Sequence, residues 1–104
     1  MKIVAVTACS TGIAHTYMAQ EALELECEKR GYEIRVETQG GLGIENKLSQ
    51  KEIDTADVVI LAVAIAIEGA ERFEEKEDAG KILKMNPGRI VKNVAEVMDQ
   101  VERL

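Results

Sequence analysis

Several residue types are scarce in this chain, and each scarcity excludes a class of structure or function. The 104 residues contain no tryptophan and only three aromatic side chains, so the core must be aliphatic. No run of about 18 apolar residues is present, so no membrane-spanning helix is predicted. No repeat, heptad or low-complexity tract is visible either. The length suits one domain over residues 1–104.

Basic runs are also missing, and the formal net charge is −6, from 19 acidic and 13 basic residues. Nucleic-acid binding depends on phosphate contacts from basic side chains, so that class is set aside. Direct binding to an anionic membrane is disfavoured for the same reason. With one histidine and no Cys/His cluster, we predict no metal site and no cofactor.

The chain has two cysteines, Cys9 and Cys27. Cys27 falls within the first predicted helix, about 20 Å or more from Cys9 at 1.5 Å per residue. A disulfide needs Cα atoms within about 7 Å, so we predict two thiols, with Cys27 a packing residue. The chain begins with a strand and not a signal peptide, which favours the cytoplasm, and its ends favour a stand-alone polypeptide.

Hydrophobic patterning predicts alternating strands and helices, hence an α/β fold with an open parallel sheet of three to four strands and helices on both faces. A glycine-rich stretch at residues 40–43 is interpreted as a flexible connection. Residues 80–85 fit a short strand or a helical turn, and the acidic residues 68–78 a solvated face. The predicted strands are residues 2–7, 33–38 and 57–64, and the predicted helices are residues 13–30, 50–56 and 87–104.

Apolar spacing and capping residues define the helices further. Ser49 with Glu52 has capping-box spacing, and Asn86-Pro87 is typical of an N-cap followed by proline at the first helical position. The predicted inward stripe of the first helix is Ala14, Met18, Ala22 and Leu25. The predicted inward stripe of the last helix is Ile90, Val91, Val94, Met98, Val101 and Leu104.

The loop after the first strand carries the clearest chemistry, in the run Cys9-Ser10-Thr11-Gly12-Ile13-Ala14-His15-Thr16. It leads into a helix N-terminus, where unpaired N–H groups and the helix dipole attract anions. Glycine and small residues let the backbone approach a ligand closely. The same donors stabilise a thiolate. We therefore predict a phosphate-binding loop in which the Cys9 sulfur takes a phosphoryl group.

Other interpretations of Cys9 are weighed against this one. A cysteine at a strand end is often only a small buried hydrophobe. Neither a nucleotide P-loop nor a C-x-x-C redox motif fits the spacing. The C-x5-R loop of cysteine phosphatases is the main rival, but His15 stands where the arginine clamp belongs, which favours phosphoryl relay over hydrolysis. A non-catalytic regulatory module with the same fold is a further alternative.

Together these motifs resemble the fructose-type EIIB domains of the bacterial phosphoenolpyruvate-dependent sugar phosphotransferase system. Their loop reads C-P-T-G-x-A-H-T, with Ser10 here in place of proline. Many fructose members carry aspartate where this chain has Ala64. The resemblance is close over residues 2–73 and looser beyond. The matching segments are residues 9–16, 17–23, 37–40, 43–46, 56–59 and 71–73.

The resemblance implies a role and partners. A phosphohistidine on EIIA donates to Cys9, the catalytic residue, which passes the phosphoryl group to fructose or a similar sugar on the membrane component EIIC. The chain would then be a cytoplasmic protein-phosphocysteine–sugar phosphotransferase that meets the inner membrane face through EIIC. The phosphoryl-binding residues would be Ser10, Thr11, Gly12, Ile13, Ala14, His15 and Thr16.

Several polar residues have both a functional and a plain interpretation. His15 orders the loop or contacts the phosphoryl group, or is an exposed helix histidine. Thr11 and Thr16 bind a phosphoryl oxygen or cap the helix. The remaining candidates lie further along the chain: Gln39 and Gly40 support the loop or form a turn, Arg72 reaches a phosphate or makes a surface ion pair, and Glu37 is solvated unless it binds a loop N–H.

Overall fold

The structure is a computed structural model that describes residues 1–9, 13–40 and 43–104. Its strands are β1 (Lys2–Ala8), β2 (Glu33–Gly40), β3 (Gly43–Glu45), β4 (Val58–Val63) and β5 (Ile82–Met85). Its helices are α1 (Ile13–Arg30), α2 (Gln50–Thr55), a 3-10 helix (Ala70–Phe73), α3 (Glu74–Asp78) and α4 (Pro87–Glu102). No helix within the described ranges is long and apolar enough to cross a bilayer.

Strand β1 lies at the centre of a five-stranded sheet with the order β3-β2-β1-β4-β5. It pairs in parallel with β2 on one side and with β4 on the other. Its continuous apolar run follows from this position, because a central parallel strand is covered on both faces. The predicted α/β fold is therefore confirmed, and residues 80–85 contribute β5, parallel to β4.

The sheet has one more strand than expected, since β3 runs antiparallel to β2 with Gly40 opposite Gly43. The prediction of a flexible connection over residues 40–43 is wrong at Gly40 and Gly43, while residues 41–42 lie outside the described part. Gly43 has φ of 90°, which few other residues adopt. A three-residue edge strand with little apolar content is held by backbone pairing, so its side chains do not reveal it.

Alternate strand residues pack on opposite faces of the sheet. One face packs under α1 and α4, where Ile3, Ala5 and Ile60 meet Leu23 and Met98. The other face lies under α2 and the 3-10 helix. Its buried cluster includes Val4, Val6, Leu48, Ile53, Val59 and Phe73. Both faces of the sheet are thus covered by helices. The carboxyl edge of the sheet, where β1 ends before Cys9, is therefore held in place from both sides.

Helix α1 has the predicted bounds but a different inward face. Met18 and Leu25 are 47% and 59% exposed, so the predicted stripe is wrong at both, and Ala14 is exposed as well. The buried positions of α1 are Thr16, Ala19, Leu23 and Cys27. The helix carries two apolar stripes of similar strength, and only packing against the sheet decides between them.

The predicted helix starts are confirmed. Ser49 and Glu52 form the capping box of α2, and the Asn86 side chain accepts from the Gly88 N–H with Pro87 at the first position of α4. In the last helix the stripe is confirmed at its buried members but not at Leu104, which is 39% exposed. The buried members are Ile90, Met98 and Val101, together with Val97, which was not predicted.

Cys27 is a packing residue, as predicted. It is fully buried, and burial raises the pKa of its thiol to about 11. Cys9 and Cys27 are not joined in a disulfide. The acidic segment is also largely solvated, except that the 3-10 helix turns Phe73 into the core.

The inward face of α1 is tested by two leucine truncations. Leu23→Ala removes a fully buried side chain and should cost about 2–5 kcal/mol of unfolding free energy. Leu25→Ala changes an exposed side chain and should cost about 0.5 kcal/mol or less. Urea denaturation of both variants measures the difference. Equal losses would contradict the observed packing of α1.

Candidate functional site

Cys9 directly follows the central strand β1 and is half-buried at the carboxyl edge of the sheet. The chain leaves β1 through α1 to reach β2 on one side, and later crosses to β4 on the other. Ligands of open α/β sheets bind where the strand order reverses in this way. Cys9 therefore occupies the position at which this fold offers a binding crevice.

The predicted phosphate-binding loop is described only at its two ends. Ser10, Thr11 and Gly12 lie outside the described residues, as does the side chain of Ile13, so their assignments stay predictions. Helix α1 begins at Ile13, four residues after Cys9. This order places an 18-residue helix immediately beyond the cysteine.

The first turn of α1 presents side chains of different exposure. Ala14 and His15 are exposed, in agreement with the plain interpretation of His15. Thr16 points inward and is 2% exposed, and its hydroxyl makes no hydrogen bond to the described residues. Within the described ranges the buried hydroxyls of Thr7 and Thr38, at the ends of β1 and β2, also lack a hydrogen-bond partner. Thr16 thus places a buried hydroxyl in the first turn of α1.

A cavity of about 370 Å³ opens beside Cys9. Gln39 and Gly40 line it, as predicted from their place at the end of β2, because the parallel register sets Gln39 opposite Ala8. The segment after β4 forms the facing wall. The other lining residues are Gly43, Ile44, Ile65, Ala66 and Glu68.

A buried ion pair lies behind this cavity, between Glu37 on β2 and Arg72 in the 3-10 helix. Their side chains are 0% and 10% exposed, and the two carboxylate oxygens accept from Arg72 Nη1 at 2.8 Å and Nη2 at 3.0 Å. The Leu48 N–H and Gln39 Nε2 donate to the same carboxylate at 2.8 and 2.7 Å. Glu37 is therefore not solvated; it binds a loop N–H, the alternative left open by its sequence.

Arg72 makes an ion pair as predicted, but the pair is buried and not on the surface. Besides the two bonds to Glu37, its guanidinium donates to the carbonyls of Leu48, Glu68 and Gly69. All five N–H groups of the guanidinium thus have acceptors within the protein. The arginine is oriented inward and has no donor left for a phosphate at Cys9.

Gln39 connects the ion pair to the wall of the cavity. Its Nε2 donates to Glu37 and to the Glu68 carbonyl at 2.7 and 3.0 Å, and its Oε1 accepts from the Glu68 N–H at 2.9 Å. The side-chain amide therefore satisfies both backbone groups of Glu68. Gln39 supports the crevice, although not through the loop at Cys9 itself.

The network lowers the pKa of Glu37. Burial alone would raise the pKa of this carboxyl, but donors from Arg72, Gln39 and the Leu48 N–H outweigh burial and lower it. The pKa of Arg72 is raised, chiefly by its hydrogen bonds to Glu37. Both partners are therefore charged near neutral pH, as the geometry requires.

Comparison with known proteins identifies the family. Residues 4–100 match the family described as "PTS system, Lactose/Cellobiose specific IIB subunit". The "PTS system fructose-like EIIB component 2" of Escherichia coli K12 is 47% identical over 97% of this chain and 92% of its own length. The chain belongs to the IIB family of the sugar phosphotransferase system. This confirms the resemblance found in the sequence.

Solved EIIB structures agree with the fold. A domain of the fructose-specific IIABC component of Borrelia burgdorferi is 48% identical, with a TM-score of 0.85 over 96% of this chain and 91% of that one. A predicted fructose-specific IIB from Escherichia coli is 40% identical, with a TM-score of 0.89 over 98% of this chain and 87% of that one. The five-stranded arrangement is thus an EIIB fold.

Sequence reasoning missed one feature of this EIIB site, the buried pairing of Glu37 with Arg72. A solvated Glu37 was one of the two interpretations offered by the sequence, and Glu33 and Arg35 on the same strand are indeed exposed, but Glu37 is buried. The predicted fold could have revealed this pairing, because both faces of a parallel sheet are covered by helices. A carboxylate on the second face then needs a buried partner.

Gly69 makes room for Arg72, and an alanine there tests the network. Gly69 has φ of 72°, and a Cβ on it would lie 2.6 Å from Arg72 Nε. Gly80 has the same φ with nothing within 4 Å, which makes Gly80→Ala the matched control. Gly80→Ala should cost about 1–2 kcal/mol of unfolding free energy, from backbone strain alone. Gly69→Ala should approach about 3–5 kcal/mol, because it also breaks the buried pair. Equal losses in urea denaturation would show that Arg72 moves aside freely.

The Glu37 carboxylate should make stability depend on pH. Its folded-state pKa lies below the unfolded value of about 4.3, so its stabilising contribution is present above that pH and disappears as pH falls through the folded-state pKa. Wild type should therefore exceed Glu37→Gln in urea midpoint at pH 7, and the gap should shrink below about pH 4. Glu21→Gln, at an exposed position of α1, should leave the pH profile of wild type unchanged. A gap that stays constant with pH would contradict the lowered pKa.

Proposed function

We propose that this EIIB chain is a phosphocarrier in which the Cys9 Sγ accepts a phosphoryl group from a phosphohistidine of EIIA. Cys9 then passes the group to a fructose-like sugar bound by EIIC. The observation that carries the proposal is the position of Cys9, half-buried between the central strand and α1 at the reversal of strand order. A nucleophilic sulfur beside a helix N-terminus is well placed for an anion.

The proposed chemistry has two displacements. In the first, the Cys9 thiolate attacks phosphorus, the P–S bond forms, the P–N bond of the phosphohistidine breaks, and the leaving imidazole takes a proton from solvent. In the second, a sugar hydroxyl oxygen attacks phosphorus, the P–S bond breaks, and the hydroxyl proton passes to a base while the thiolate is regenerated. Backbone N–H groups of the loop would hold the charge that develops on the phosphoryl oxygens.

Thr16 and His15 are the described side chains that we assign to phosphoryl binding. The Thr16 hydroxyl is buried in the first turn of α1 and makes no hydrogen bond to the part of the chain that the structure describes, so it has a donor to offer. His15 is exposed in the same turn, where an incoming partner can reach it. The remaining loop residues, from Ser10 to Ala14, are assigned by the family motif alone.

Relay is favoured over hydrolysis because the site lacks an arginine clamp. The position six residues after Cys9 is His15, and the guanidinium of Arg72 is fully engaged by Glu37 and backbone carbonyls. A cysteine phosphatase uses a bidentate guanidinium to stabilise its transition state. Without one, a phosphocysteine should persist long enough to be passed on.

The names of relatives support the proposed partners and sugar. The "PTS system fructose-specific EIIB'BC component" of Vibrio cholerae is 46% identical over 91% of this chain, which covers 16% of that longer protein. Its name supports an EIIC partner and a fructose-like sugar. We propose that the chain works in the cytoplasm and meets the inner face of the membrane through EIIC.

Reconstitution tests the phosphocarrier role. The chain is incubated with phosphoenolpyruvate, the general phosphotransfer proteins and a cognate EIIA, and is then examined by intact mass and peptide mapping. One phosphoryl group should appear on Cys9, and Cys9→Ser should not gain it. Cys27→Ala, which alters the buried cysteine, should label like wild type.

Three results would overturn the role. A wild-type chain that gains no phosphoryl group would favour a non-catalytic module. Catalytic release of phosphate from an aryl phosphate would favour the phosphatase alternative. Labelling of Cys9→Ser to the wild-type level would show that a residue other than Cys9 accepts the phosphoryl group.

A further inference from the structure

One wall of the cavity at Cys9 has no regular secondary structure, yet it is anchored at both ends. Residues 64–69, between β4 and the 3-10 helix, form this wall. At its start the Ala64 N–H donates to the Ala8 carbonyl at 2.9 Å, directly beside Cys9. At its end both backbone groups of Glu68 bond to the Gln39 amide. Residues 65–67 span the distance between these anchors.

The Gln39 side chain bonds to the wall in the way that the backbone of a neighbouring strand would. One side-chain amide accepts from the Glu68 N–H and donates to the Glu68 carbonyl, the two bonds that backbone pairing normally supplies. Gln39 itself is 6% exposed, so these bonds are largely shielded from water. The wall is thus paired to the end of β2 through a side chain.

The ion pair decides which way the Gln39 amide points. Glu37 accepts from Nε2 at 2.7 Å, and a carboxylate can only accept, so the nitrogen must face it. This leaves the second Nε2 hydrogen for the Glu68 carbonyl and Oε1 for the Glu68 N–H. Arg72 strengthens the arrangement by donating to the carbonyls of Glu68 and Gly69.

We infer that Gln39 is a positioning residue for phosphoryl transfer. It holds the wall at residues 64–69 opposite Cys9 in the shape that receives the phosphoryl donor. The inference rests on the phosphocarrier role proposed above. Gln39 itself belongs to the cavity lining, and its effect on Cys9 acts through the wall. Transfer between two proteins requires the sulfur, the phosphorus and the leaving nitrogen to align, and a displacement of about 1 Å can cost about 100-fold in rate.

The test measures the single-turnover rate of phosphoryl transfer from phospho-EIIA to Cys9. Gln39→Ala removes the anchor and should slow transfer by about 10- to 100-fold while the final labelling stays near one group per chain. Gln100→Ala, on α4, is the matched control and should keep the wild-type rate. Amide hydrogen exchange should show lost protection at Glu68, with β1 and β4 still protected.

A second variant keeps the test independent of folding. Gln39→Glu retains an acceptor for the Glu68 N–H but sets a carboxylate against Glu37 and the Glu68 carbonyl. Its transfer rate relative to wild type should be low near pH 7.5 and should recover as pH falls, because a protonated carboxyl can donate again. The urea midpoint of Gln39→Glu is measured over the same pH range, because relief of the carboxylate repulsion would also restore general stability. A transfer rate that recovers while the chain is fully folded at every pH supports the positioning role.

The outcomes separate the two proposals. Wild-type transfer rates in Gln39→Ala, with protection lost at Glu68, would overturn the positioning role and leave the phosphocarrier intact. Slow transfer accompanied by lost protection throughout the sheet, and no recovery of Gln39→Glu at low pH, would reduce Gln39 to a structural residue. A wild-type chain that takes no phosphoryl group would overturn the phosphocarrier role and the positioning role together.

Discussion

The buried ion pair between Glu37 and Arg72 is the interaction on which the site depends. It joins residues 35 positions apart, one on β2 and one in the 3-10 helix. Removing two charges from water costs several kcal/mol per ion, and the cost is recovered only when every donor and acceptor is satisfied. Among the described residues, four donors form hydrogen bonds to the Glu37 carboxylate and five acceptors receive hydrogen bonds from the Arg72 guanidinium. Such a pair adds little net stability, but its many hydrogen bonds restrict how the 3-10 helix can pack against β2.

The ion pair affects the surface at the carboxyl edge of the sheet through Gln39. Because successive residues of a strand point to opposite faces, Glu37 and Gln39 lie on the face covered by the 3-10 helix. The pair therefore orients the amide, and the amide holds the wall beside Cys9. The hydroxyls of Thr7, Thr16 and Thr38 are also buried, and they make no hydrogen bond to the described residues. Buried polar groups thus occur near the end of a central strand that is otherwise apolar.

The same arrangement bears on the choice of chemistry. An arginine in a chain proposed to carry a phosphoryl group suggests phosphate binding when only residue types are considered. Here its donors all point into the protein, and its position is set by Glu37 and by the space left at Gly69. Arg72 therefore supports the residues around the crevice and offers no donor to a ligand inside it. A supporting arginine agrees with the proposal that the chain relays a phosphoryl group and does not hydrolyse it.

Local patterns identified much of this protein. The bounds of α1, the capping box at Ser49 and the N-cap at Asn86 follow from neighbours in sequence, and they were predicted correctly. The parallel register was enough to bring Gln39 and Gly40 to Cys9, because strands that follow one another through right-handed crossovers end at the same edge. The family was also recognisable from ordered short motifs.

By itself the sequence determined the α/β class, the position of Cys9 between a buried strand and a helix, and membership of the EIIB family. Tertiary structure alone decided which stripe of α1 packs inward, that residues 43–45 pair as a strand, and that Glu37 is buried against Arg72. The physical reason is the range of the interactions. Periodicity and caps depend on residues a few positions apart, whereas burial depends on which distant segment covers a face. The sequence of β2 alone is compatible with a solvated Glu37, and only the 3-10 helix folded over that strand buries it against Arg72 behind the cavity.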